Sequence, residues 1–387
     1  MKNLLAQPSG IMAYIVFILL MALSASCAKN VSNKIQVMGL ERGMHWEEEC
    51  LSQNEDWYGS EEAQRIADNM LYFQNDNGGW PKNVNMTEQL NVQDKIKRMV
   101  SADLSRSTID NLATFTQMRF LANVYHRTNN EQYATSFNKG LDYLLEAQYE
   151  NGGWPQFYPL RKGYYSHITF NDEAMVGVLF LLRDILNKPD DFPAIDENQN
   201  KKVEAAVEKG IECILKCQIR TDGKLTAWCA QHDVNTLAAV KARSYELPSL
   251  SGKESAGIVE FLMSINNPDE RIIQSIQSAV KWFDEVRVEG IRQKWVSDKS
   301  VEGGYDKRII KDPGAPSIWG RFYEIGSNQY FFCDRDGSVH YDMVELSSER
   351  RIKYGWVGYW PKNMMEKFYP KWQKKWAPGQ NVLKRNK

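Results

Sequence analysis

The sequence has no surplus of charge of either sign. Its 387 residues carry 48 Lys and Arg against 49 Asp and Glu, which leaves a formal net charge of −1. Proteins that bind nucleic acid through a broad electrostatic field have a basic surplus, so this class is disfavoured. An anionic ligand would have to be recognised by cations that the fold gathers locally.

Cysteine and histidine are scarce, with six and five residues respectively. Beyond Cys27 an odd number of cysteines remains, so a complete disulfide framework is impossible. Cys213 and Cys217 lie four residues apart, but no histidine pair with zinc-ligand spacing accompanies them. We expect these thiols to be buried as small apolar side chains.

Long apolar runs are absent apart from Ile11–Leu23. Lys2 precedes this run, and small residues follow it and lead into Cys27, which is the anatomy of a bacterial secretory signal. The run is short for a membrane span, and the cysteine after small residues resembles a lipobox. Residues 1–26 are therefore predicted to be a signal peptide of the lipoprotein type, which makes the protein secreted, periplasmic or attached to the outer membrane. Ordinary secretion and a retained anchor are the alternatives.

The rest of the chain divides into a polar, poorly patterned stalk over residues 27–55, expected to lie outside the core, and one folded domain over residues 56–387. Apolar residues at three- and four-residue spacing predict a mainly α fold. The predicted helices are Glu61–Phe73, Ile109–Thr128, Glu131–Ala147, Asp172–Leu186, Lys201–Cys217, Gly252–Ser264 and Asp269–Val286. After Val288, Gly, Pro, Asp and aromatic residues predict long loops and short strands, and Trp372–Lys387 is expected to be a solvated tail.

A repeat organises these helices. Gln74 and Trp80 align with Gln148 and Trp154, 74 residues later, and Gln218 opens a degenerate third copy. In each copy a helix runs into a Gly-rich stop that is followed by an aromatic residue. Helix pairs repeated in this way must stack to bury their apolar faces, which predicts a solenoid or an α/α toroid with the loops at one end sharing a mouth.

Acidic and amide side chains recur at two equivalent points of this repeat. Asp110 and Asn111 precede one helix, and Asn171 and Asp172 precede another. An Asp at a helix start is ordinarily a cap. If both pairs lie at one rim of a toroid, however, two carboxylates and two amide oxygens meet there, and such a hard oxygen set suits Ca²⁺.

Arginines mark two further stretches. Arg243 lies in a loop ahead of the helix-start signature Ser251–Glu254, where an arginine is more often a surface ion pair than a catalyst. Arg308 and Arg321 are interleaved with aromatic residues, a composition that suits an acidic sugar chain.

Six ordered motifs make the chain from Asp56 to Trp372 resemble the polysaccharide lyase family 10 pectate lyases. The motifs are Asn77–Lys82, Ser107–Asn111, Ile168–Asp172, Trp228–Asp233, Ala242–Ser255 and Trp319–Ile325. The resemblance implies an α/α toroid, bound calcium and β-elimination of α-1,4-linked polygalacturonate to 4,5-unsaturated oligogalacturonides. It makes residues 56–387 the catalytic domain. We expect a monomer that binds an anionic polysaccharide, binds no nucleic acid and meets the membrane only through a lipid on Cys27.

The resemblance also implies residue roles. Asp110 and Asp172 would hold calcium, Asp110 would take part in catalysis, and Arg243 would be the base. Arg308 and Arg321 would hold uronate carboxylates of the substrate. We name Asn111 and Asn171 as further candidates for substrate binding. The chain departs from the family beside Asp110, because a Gly usually stands where Leu112 is found and a Thr where Phe115 is found.

Arg243 is an awkward base, since a guanidinium ordinarily has a pKa above about 12. Crowding by calcium and other cations would lower this pKa and give an alkaline activity optimum. Two other functions stay open. A glycoside hydrolase would use Asp110 and Asp172 as its two carboxyl groups, and its activity would survive removal of metal by a chelator. A noncatalytic glycan-binding surface lipoprotein would keep its function without Arg243.

Overall fold

The structure is a computed structural model that describes residues 46–93 and 104–383. The predicted signal peptide, Cys27 and most of the predicted stalk lie outside these residues. Within the described ranges, no helix has both the length and the apolar character needed to cross a membrane. The α-helices are α1 (Trp46–Cys50), α2 (Glu61–Phe73), α3 (Phe115–Thr128), α4 (Glu131–Ala147), α5 (Ala174–Asn187), α6 (Glu197–Cys217), α7 (Glu254–Met263), α8 (Glu270–Glu285), α9 (Ser348–Lys353) and α10 (Tyr369–Trp376).

Consecutive helices pack in pairs, as the mainly helical prediction requires. Helix α3 contacts α4, α5 contacts α6 and α7 contacts α8, and α5 also contacts α3 and α7. The second helix of each pair starts at a side-chain cap, which is Asn130 for α4, Asp196 for α6 and Asp269 for α8. Helices α3 and α5 start without a side-chain cap, so the polar residues just ahead of them are not used for capping. Ahead of α7, the Ser251 Oγ accepts the N–H of Glu254 at 3.2 Å, as the helix-start signature predicts.

The repeat predicted from the sequence is confirmed, including its degenerate third copy. In each copy the buried indole N–H of the Trp donates to a carbonyl in the last turns of its own helix, over 2.9 Å for Trp80, 2.8 Å for Trp154 and 2.7 Å for Trp228. The Gln amide of each copy then ties that helix end to the second helix of a pair. The bonds run from Gln74 to the Ser136 carbonyl, from Gln148 to that of Ala206 and from Gln218 to that of Ser275.

Short strands fill the connections and the C-terminal part, as predicted after Val288. They are β1 (Ile168–Thr169), β2 (Arg220–Thr221), β3 (Lys224–Leu225), β4 (Gln231–His232), β5 (Leu250–Ser251), β6 (Ile291–Ser297), β7 (Tyr305–Lys311), β8 (Trp319–Gly320), β9 (Phe322–Tyr323), β10 (Tyr330–Cys333), β11 (Val339–His340) and β12 (Val357–Gly358). A four-stranded sheet has the order β11-β10-β9-β5, so it attaches the C-terminal strands to the strand ahead of α7. The longest pair, β6 and β7, is an antiparallel hairpin in which Trp295 lies opposite Lys307.

The core extends beyond both predicted boundaries. Trp46 and Cys50 of α1, within the predicted stalk, are buried in the main hydrophobic cluster, and Trp46 packs edge-on against Phe120 with ring centroids 6.2 Å apart. At the other end, Trp372 and Ala377 are buried in the same cluster. The stalk prediction for residues 46–55 and the solvated-tail prediction were therefore wrong in part. Both segments are polar by composition, but each carries apolar residues at helical spacing that the fold covers.

The five described cysteines are free and buried, as expected for small apolar side chains. The sulfur atoms of Cys213 and Cys217 lie 4.0 Å apart on α6.

Two glycines test how tightly the repeat is packed. Gly152 has a φ of +91°, and a Cβ atom there would lie 2.0 Å from the Lys209 carbonyl oxygen of α6. Gly223 has a φ of +75°, and a Cβ atom there would have no neighbour within 4 Å. A substitution at Gly223 therefore measures the cost of a left-handed backbone conformation without any steric clash. We expect Gly223→Ala to lower the free energy of unfolding by about 1 kcal/mol and Gly152→Ala by about 3 kcal/mol or more, measured by urea denaturation. Equal losses would mean that the loop and α6 are not in tight contact.

Candidate active site

Two short 3₁₀ turns, Asp110–Leu112 and Asn171–Glu173, lie ahead of α3 and α5 and contact each other. The same backbone hydrogen bond places both. The N–H of Thr108 donates to the Trp80 carbonyl at 3.1 Å, and that of Thr169 donates to the Trp154 carbonyl at 3.0 Å. Because Asp110 and Asn171 each follow these threonines by two residues, they occupy equivalent positions of the repeat.

The second residue of each pair adopts the same left-handed backbone conformation. Asn111 has φ and ψ of 50° and 47°, and Asp172 has 49° and 40°. Asn and Asp tolerate this conformation better than other residues with a Cβ atom. The repeat therefore presents one carboxylate and one amide at each turn, with their order exchanged. The sequence prediction that the two Asp-bearing segments are brought together is confirmed at the level of these turns.

The third copy of the repeat carries a different pair of side chains. The N–H of Ser251 donates to the Trp228 carbonyl at 2.7 Å, which makes Lys253 and Glu254 the equivalents of the acid and amide pairs. The Lys253 ammonium group bonds to Asp172 Oδ1 at 2.5 Å. Sequence reasoning missed Lys253 as a site residue. Its spacing of two residues from Ser251, read against Thr108 and Thr169, was the signal that could have found it.

Asp110 is buried, with 2% of its surface exposed. Its Oδ2 atom accepts a hydrogen bond from the Lys82 ammonium group, while Oδ1 has no hydrogen-bond partner among the described residues. Helix α3 starts five residues further on and has no side-chain cap, so the capping alternative for Asp110 does not apply. A buried carboxylate oxygen without a partner is costly unless a ligand satisfies it.

A cavity of about 470 Å³ lies beside the second turn. Asp172, Arg243 and Arg321, all singled out in the sequence, lie at its wall together with Lys253. Its other lining residues come from the C-terminal part: Gln293, Trp295, Lys307, Ile352, Lys353, Tyr354, Gly355 and Trp360. The cavity thus combines one carboxylate, several cations and aromatic side chains, which is a composition suited to an anionic sugar.

Arg243 is the most accessible of the predicted residues, with 42% of its side chain exposed. Its Nε donates to Glu246 Oε2 at 2.8 Å, and the other oxygen of the buried Glu246 accepts a bond from the Tyr354 hydroxyl at 2.7 Å. Burial lowers the pKa of the Arg243 guanidinium, but the charge and hydrogen bond of Glu246 outweigh burial and raise it. Among the protein's own groups, the effect on the pKa of Arg243 is therefore the opposite of the expected one. The charged group nearest to Arg243 is a carboxylate, which raises this pKa, and not a cation, which would lower it.

Arg321 is buried and held on several sides. Its guanidinium donates to Glu254 Oε1 at 2.8 Å and to Asn171 Oδ1 at 3.2 Å, and the Tyr354 ring centroid lies 4.8 Å away. Burial lowers the pKa of Arg321, but the charged groups around it, Glu254 above all, together outweigh burial and raise it. These contacts fix the guanidinium as a permanent cation at the cavity wall.

Arg308 lies on the other face of the β6–β7 hairpin. Its Nε donates to Asp306 at 2.7 Å and its terminal nitrogen to Asp298 at 3.1 Å. Side chains alternate between the two faces of a strand, so the neighbouring Lys307 lines the cavity with Trp295. The hairpin does supply a cation to the cavity, but one residue away from the position that the family motif indicated.

The two departures from the family pattern differ in their surroundings. Leu112 has a φ of +64°, in the left-handed region where the usual Gly of the family adds no steric cost. It is half-buried and packs against the main core. Phe115 is buried, and its ring lies where a Cβ atom on Gly177 of α5 would come within 2.3 Å, so it fills the space between α3 and α5.

The donors at the two turns suit a hard cation. Oxygen atoms of Asp110, Asn111 and Asp172 lie at these turns, and the buried Asp110 Oδ1 has no hydrogen-bond partner among the described residues. Asn171 is engaged, because it accepts from Arg321 and donates to Asp172 Oδ2 at 2.8 Å. In the part of the chain that the structure describes, no three His, Cys, Asp or Glu side chains cluster closely enough to hold a metal by themselves. The donor set fits calcium, with amide oxygens and substrate needed to complete it.

Comparisons with known proteins point to one family. The family model described as pectic acid lyase matches residues 74–365. A mutant of a family 10 polysaccharide lyase from Cellvibrio cellulosa, solved in complex with trigalacturonic acid, is 35% identical over 84% of this chain and 96% of its own, with a TM-score of 0.69. A second structure of a family 10 polysaccharide lyase from the same organism is 36% identical over 82% and 94%, with the same TM-score of 0.69. No curated protein matches the chain.

The buried pair of Arg321 and Glu254 provides a stability test. Glu254→Met keeps a side chain of similar size but leaves the buried guanidinium without its nearest carboxylate, so we expect a loss of about 3 to 5 kcal/mol in the free energy of unfolding. Glu62→Met is the matched control, since Glu62 pairs with Arg65 at 2.7 Å on the surface of α2 and should lose about 1 kcal/mol or less. Similar losses in urea denaturation would contradict the burial assigned to Arg321.

Proposed function

Because the chain belongs to the pectic acid lyase family, we propose that it cleaves α-1,4-linked polygalacturonate by calcium-assisted β-elimination. It is a polysaccharide lyase, and the finer proposal concerns its substrate, its base and its metal. The observation that carries the proposal is the convergence of Asp172, Arg243 and Arg321 on one cavity. The trigalacturonic acid bound by the related lyase supports a polygalacturonate substrate.

In the proposed reaction Arg243, in its neutral form, removes the proton from C5 of a galacturonate unit. The electron pair of the C5–H bond forms the C4=C5 double bond, and the C4–O bond breaks. The departing oxygen takes a proton and becomes the new chain end, while the other fragment is a 4,5-unsaturated oligogalacturonide. The C5 proton is only weakly acidic because it lies next to a carboxylate, so the negative charge that develops there must be stabilised.

Fixed cations beside the cavity would supply part of that stabilisation. Arg321 is held by Glu254 and Asn171, so its guanidinium is preorganised to pair with a uronate carboxylate without reorganising during the reaction. We propose that Lys307, on the cavity face of the hairpin, binds the substrate in place of Arg308, which the family motif indicated. Asn111 and the polar groups around it would bind sugar hydroxyls or metal.

Calcium would be held by Asp110, Asp172 and the neighbouring amide oxygens. When bound there it would neutralise the substrate carboxylate and so make the C5 proton more acidic. Lys82 and Lys253 bond to the same two carboxylates and so fix the positions of both aspartates. A glycoside hydrolase is the alternative that would use the same two carboxyl groups, and removal of calcium separates the two functions because hydrolysis by carboxyl groups alone does not need the metal.

Three further points are proposals. The helix pairs would close into an α/α toroid, which is supported by the contacts of α5 with α3 and α7. The signal anatomy of residues 1–26 supports secretion, with lipidation at Cys27 and a periplasmic or outer-membrane location. We propose a monomer as the working unit.

The function is tested with purified protein on polygalacturonate. With Ca²⁺ we expect the ultraviolet absorbance of an unsaturated product, and with EDTA we expect it to disappear. Arg243→Ala should lower the rate by about 10² to 10⁴-fold, whereas Arg271→Ala, at an exposed ion pair on α8, should leave it unchanged. New reducing ends without that absorbance would mean hydrolysis, and binding without turnover would mean a glycan-binding protein.

Metal binding can be measured without turnover. Calcium that binds only the folded chain raises its melting temperature, so we expect a calcium-dependent rise that Asp110→Asn abolishes. Asp222→Asn, in the exposed turn between β2 and β3, should retain the rise. If both variants keep it, calcium does not bind at Asp110.

The environment of Arg243 predicts the pH dependence. Only the neutral guanidinium can accept the proton, so the rate should rise with pH, and Glu246 moves this rise to higher pH because it raises the pKa of Arg243. Glu246→Gln keeps a hydrogen-bond acceptor but removes the charge, so we expect its rise in kcat/KM to lie at lower pH, measured between about pH 7 and 10. Tyr354→Phe removes the hydroxyl bonded to Glu246 and keeps the charge, so its profile should stay at the wild-type position. A Glu246→Gln profile identical to that of the wild type would exclude Arg243 as the base.

A further inference from the structure

Two tyrosines form a partly exposed aromatic surface outside the cavity. Tyr164 and Tyr165 lie in the 3₁₀ turn Tyr164–Ser166 and are neither buried nor fully exposed. Their ring centroids are 4.1 Å apart with a 37° angle between the planes. Tyr165 packs edge-on against the buried Phe157 at 5.3 Å, which fixes the orientation of the pair. We call these two tyrosines and Arg161 the aromatic ledge.

The ledge lies between the two ends of the site. At one end, the backbone of Phe157 pairs with Thr108, two residues before Asp110, and the Lys82 ammonium group lies 5.6 Å from the Phe157 ring centroid. At the other end, burial above all raises the pKa of the Tyr164 phenol, and Arg243 is close enough for its charge to oppose that rise. The ledge therefore adjoins the segment that leads to Asp110 and comes within electrostatic reach of Arg243.

Arg161 adds a cation to this surface. Its guanidinium lies 3.9 Å from the Phe157 ring centroid, and its Nε donates to the Ser105 carbonyl at 2.7 Å. No carboxylate within residues 46–93 or 104–383 forms an ion pair with Arg161. Arg308 and Arg321, by contrast, are each paired with acidic side chains. Among the described residues, Arg161 is thus held in place by a ring and a carbonyl and not by a carboxylate.

We propose that the aromatic ledge is an additional subsite, which binds a galacturonate unit of the substrate beyond the units held in the cavity. This proposal rests on the proposed function for the identity of the sugar. A tyrosine ring offers a flat apolar face for the C–H face of a pyranose while its hydroxyl remains in water. A guanidinium beside it can pair with the carboxylate of the same unit through two parallel hydrogen bonds.

The ledge has no role in the proposed chemical step, so its contribution should depend on substrate length. A trimer bound at the cavity would not need the ledge, whereas a longer chain would gain from it. Contacts with a remote part of the substrate stabilise the ground state and the transition state equally, so they raise kcat/KM only for substrates long enough to reach them.

The test compares hexagalacturonate with trigalacturonate. For Tyr164→Ala we expect the ratio of kcat/KM for the hexamer to that for the trimer to fall about tenfold, as expected when one stacking face is lost. Tyr164→Phe keeps the ring and removes the hydroxyl near Arg243, so its ratio should match that of the wild type. Tyr72→Ala, at an exposed tyrosine of α2, controls for the loss of a surface ring. Melting temperatures verify that all variants are folded.

Two results would overturn the subsite. One is an unchanged ratio in Tyr164→Ala, and the other is an equal fall in Tyr164→Phe, which would assign the effect to the hydroxyl near Arg243. Calorimetric binding of both oligomers to Arg243→Ala, with and without Tyr164→Ala, separates this proposal from the proposed function. If the wild type forms no unsaturated product but Tyr164→Ala still weakens hexamer binding, the proposed lyase chemistry is wrong and the proposed subsite is retained. If the wild type turns over and the ratio is unchanged, only the ledge fails.

Discussion

The site depends on one repeated backbone arrangement around a buried tryptophan. In each of the three copies the indole N–H closes its own helix end, and the carbonyl of the same tryptophan accepts the N–H of Thr108, Thr169 or Ser251. Each of these residues is followed within three positions by the polar pair of its turn. Three loops that are far apart in sequence thereby occupy equivalent positions relative to their tryptophans. A buried hydrogen bond of this kind is costly to leave unmade, which makes the placement rigid.

Charges at the site are balanced locally. The Asp110 carboxylate bonds to Lys82, Asp172 to Lys253, Arg321 to Glu254 and Arg243 to Glu246. Buried charges need such partners, because the loss of hydration is otherwise uncompensated. The chain can therefore present several cations to a polyanion while its overall net charge stays near neutral. Of these pairs, the one around Arg243 is the most exposed, which is consistent with the role of base that we propose for it.

Several features of the site could be predicted from the sequence, and each failure has a physical reason. The Asp110 and Asp172 segments were paired because the same Asn and Asp residues recur ahead of two helices of the repeat. Lys253 was missed because its copy of the repeat is degenerate and carries opposite charge. Arg308 was named because the family resemblance implied it, and its position on the face away from the cavity could not be assigned until the register of the β6–β7 hairpin was known. Calcium and other cations were expected to lower the pKa of Arg243. The opposing effect of Glu246 was not foreseen, because the turn that places Glu246 beside Arg243 is not revealed by composition.

The sequence by itself determined the mainly helical fold class, the repeat and the family, because apolar periodicity and motif order are local properties of the chain. It also named Arg243 and Arg321, both of which the structure brings to one cavity. Tertiary structure alone decided which face of the hairpin meets the cavity and which carboxylates hold each cation. It also decided that Tyr164 and Tyr165 stand beside the site, since contacts between distant segments arise only when the helix pairs stack.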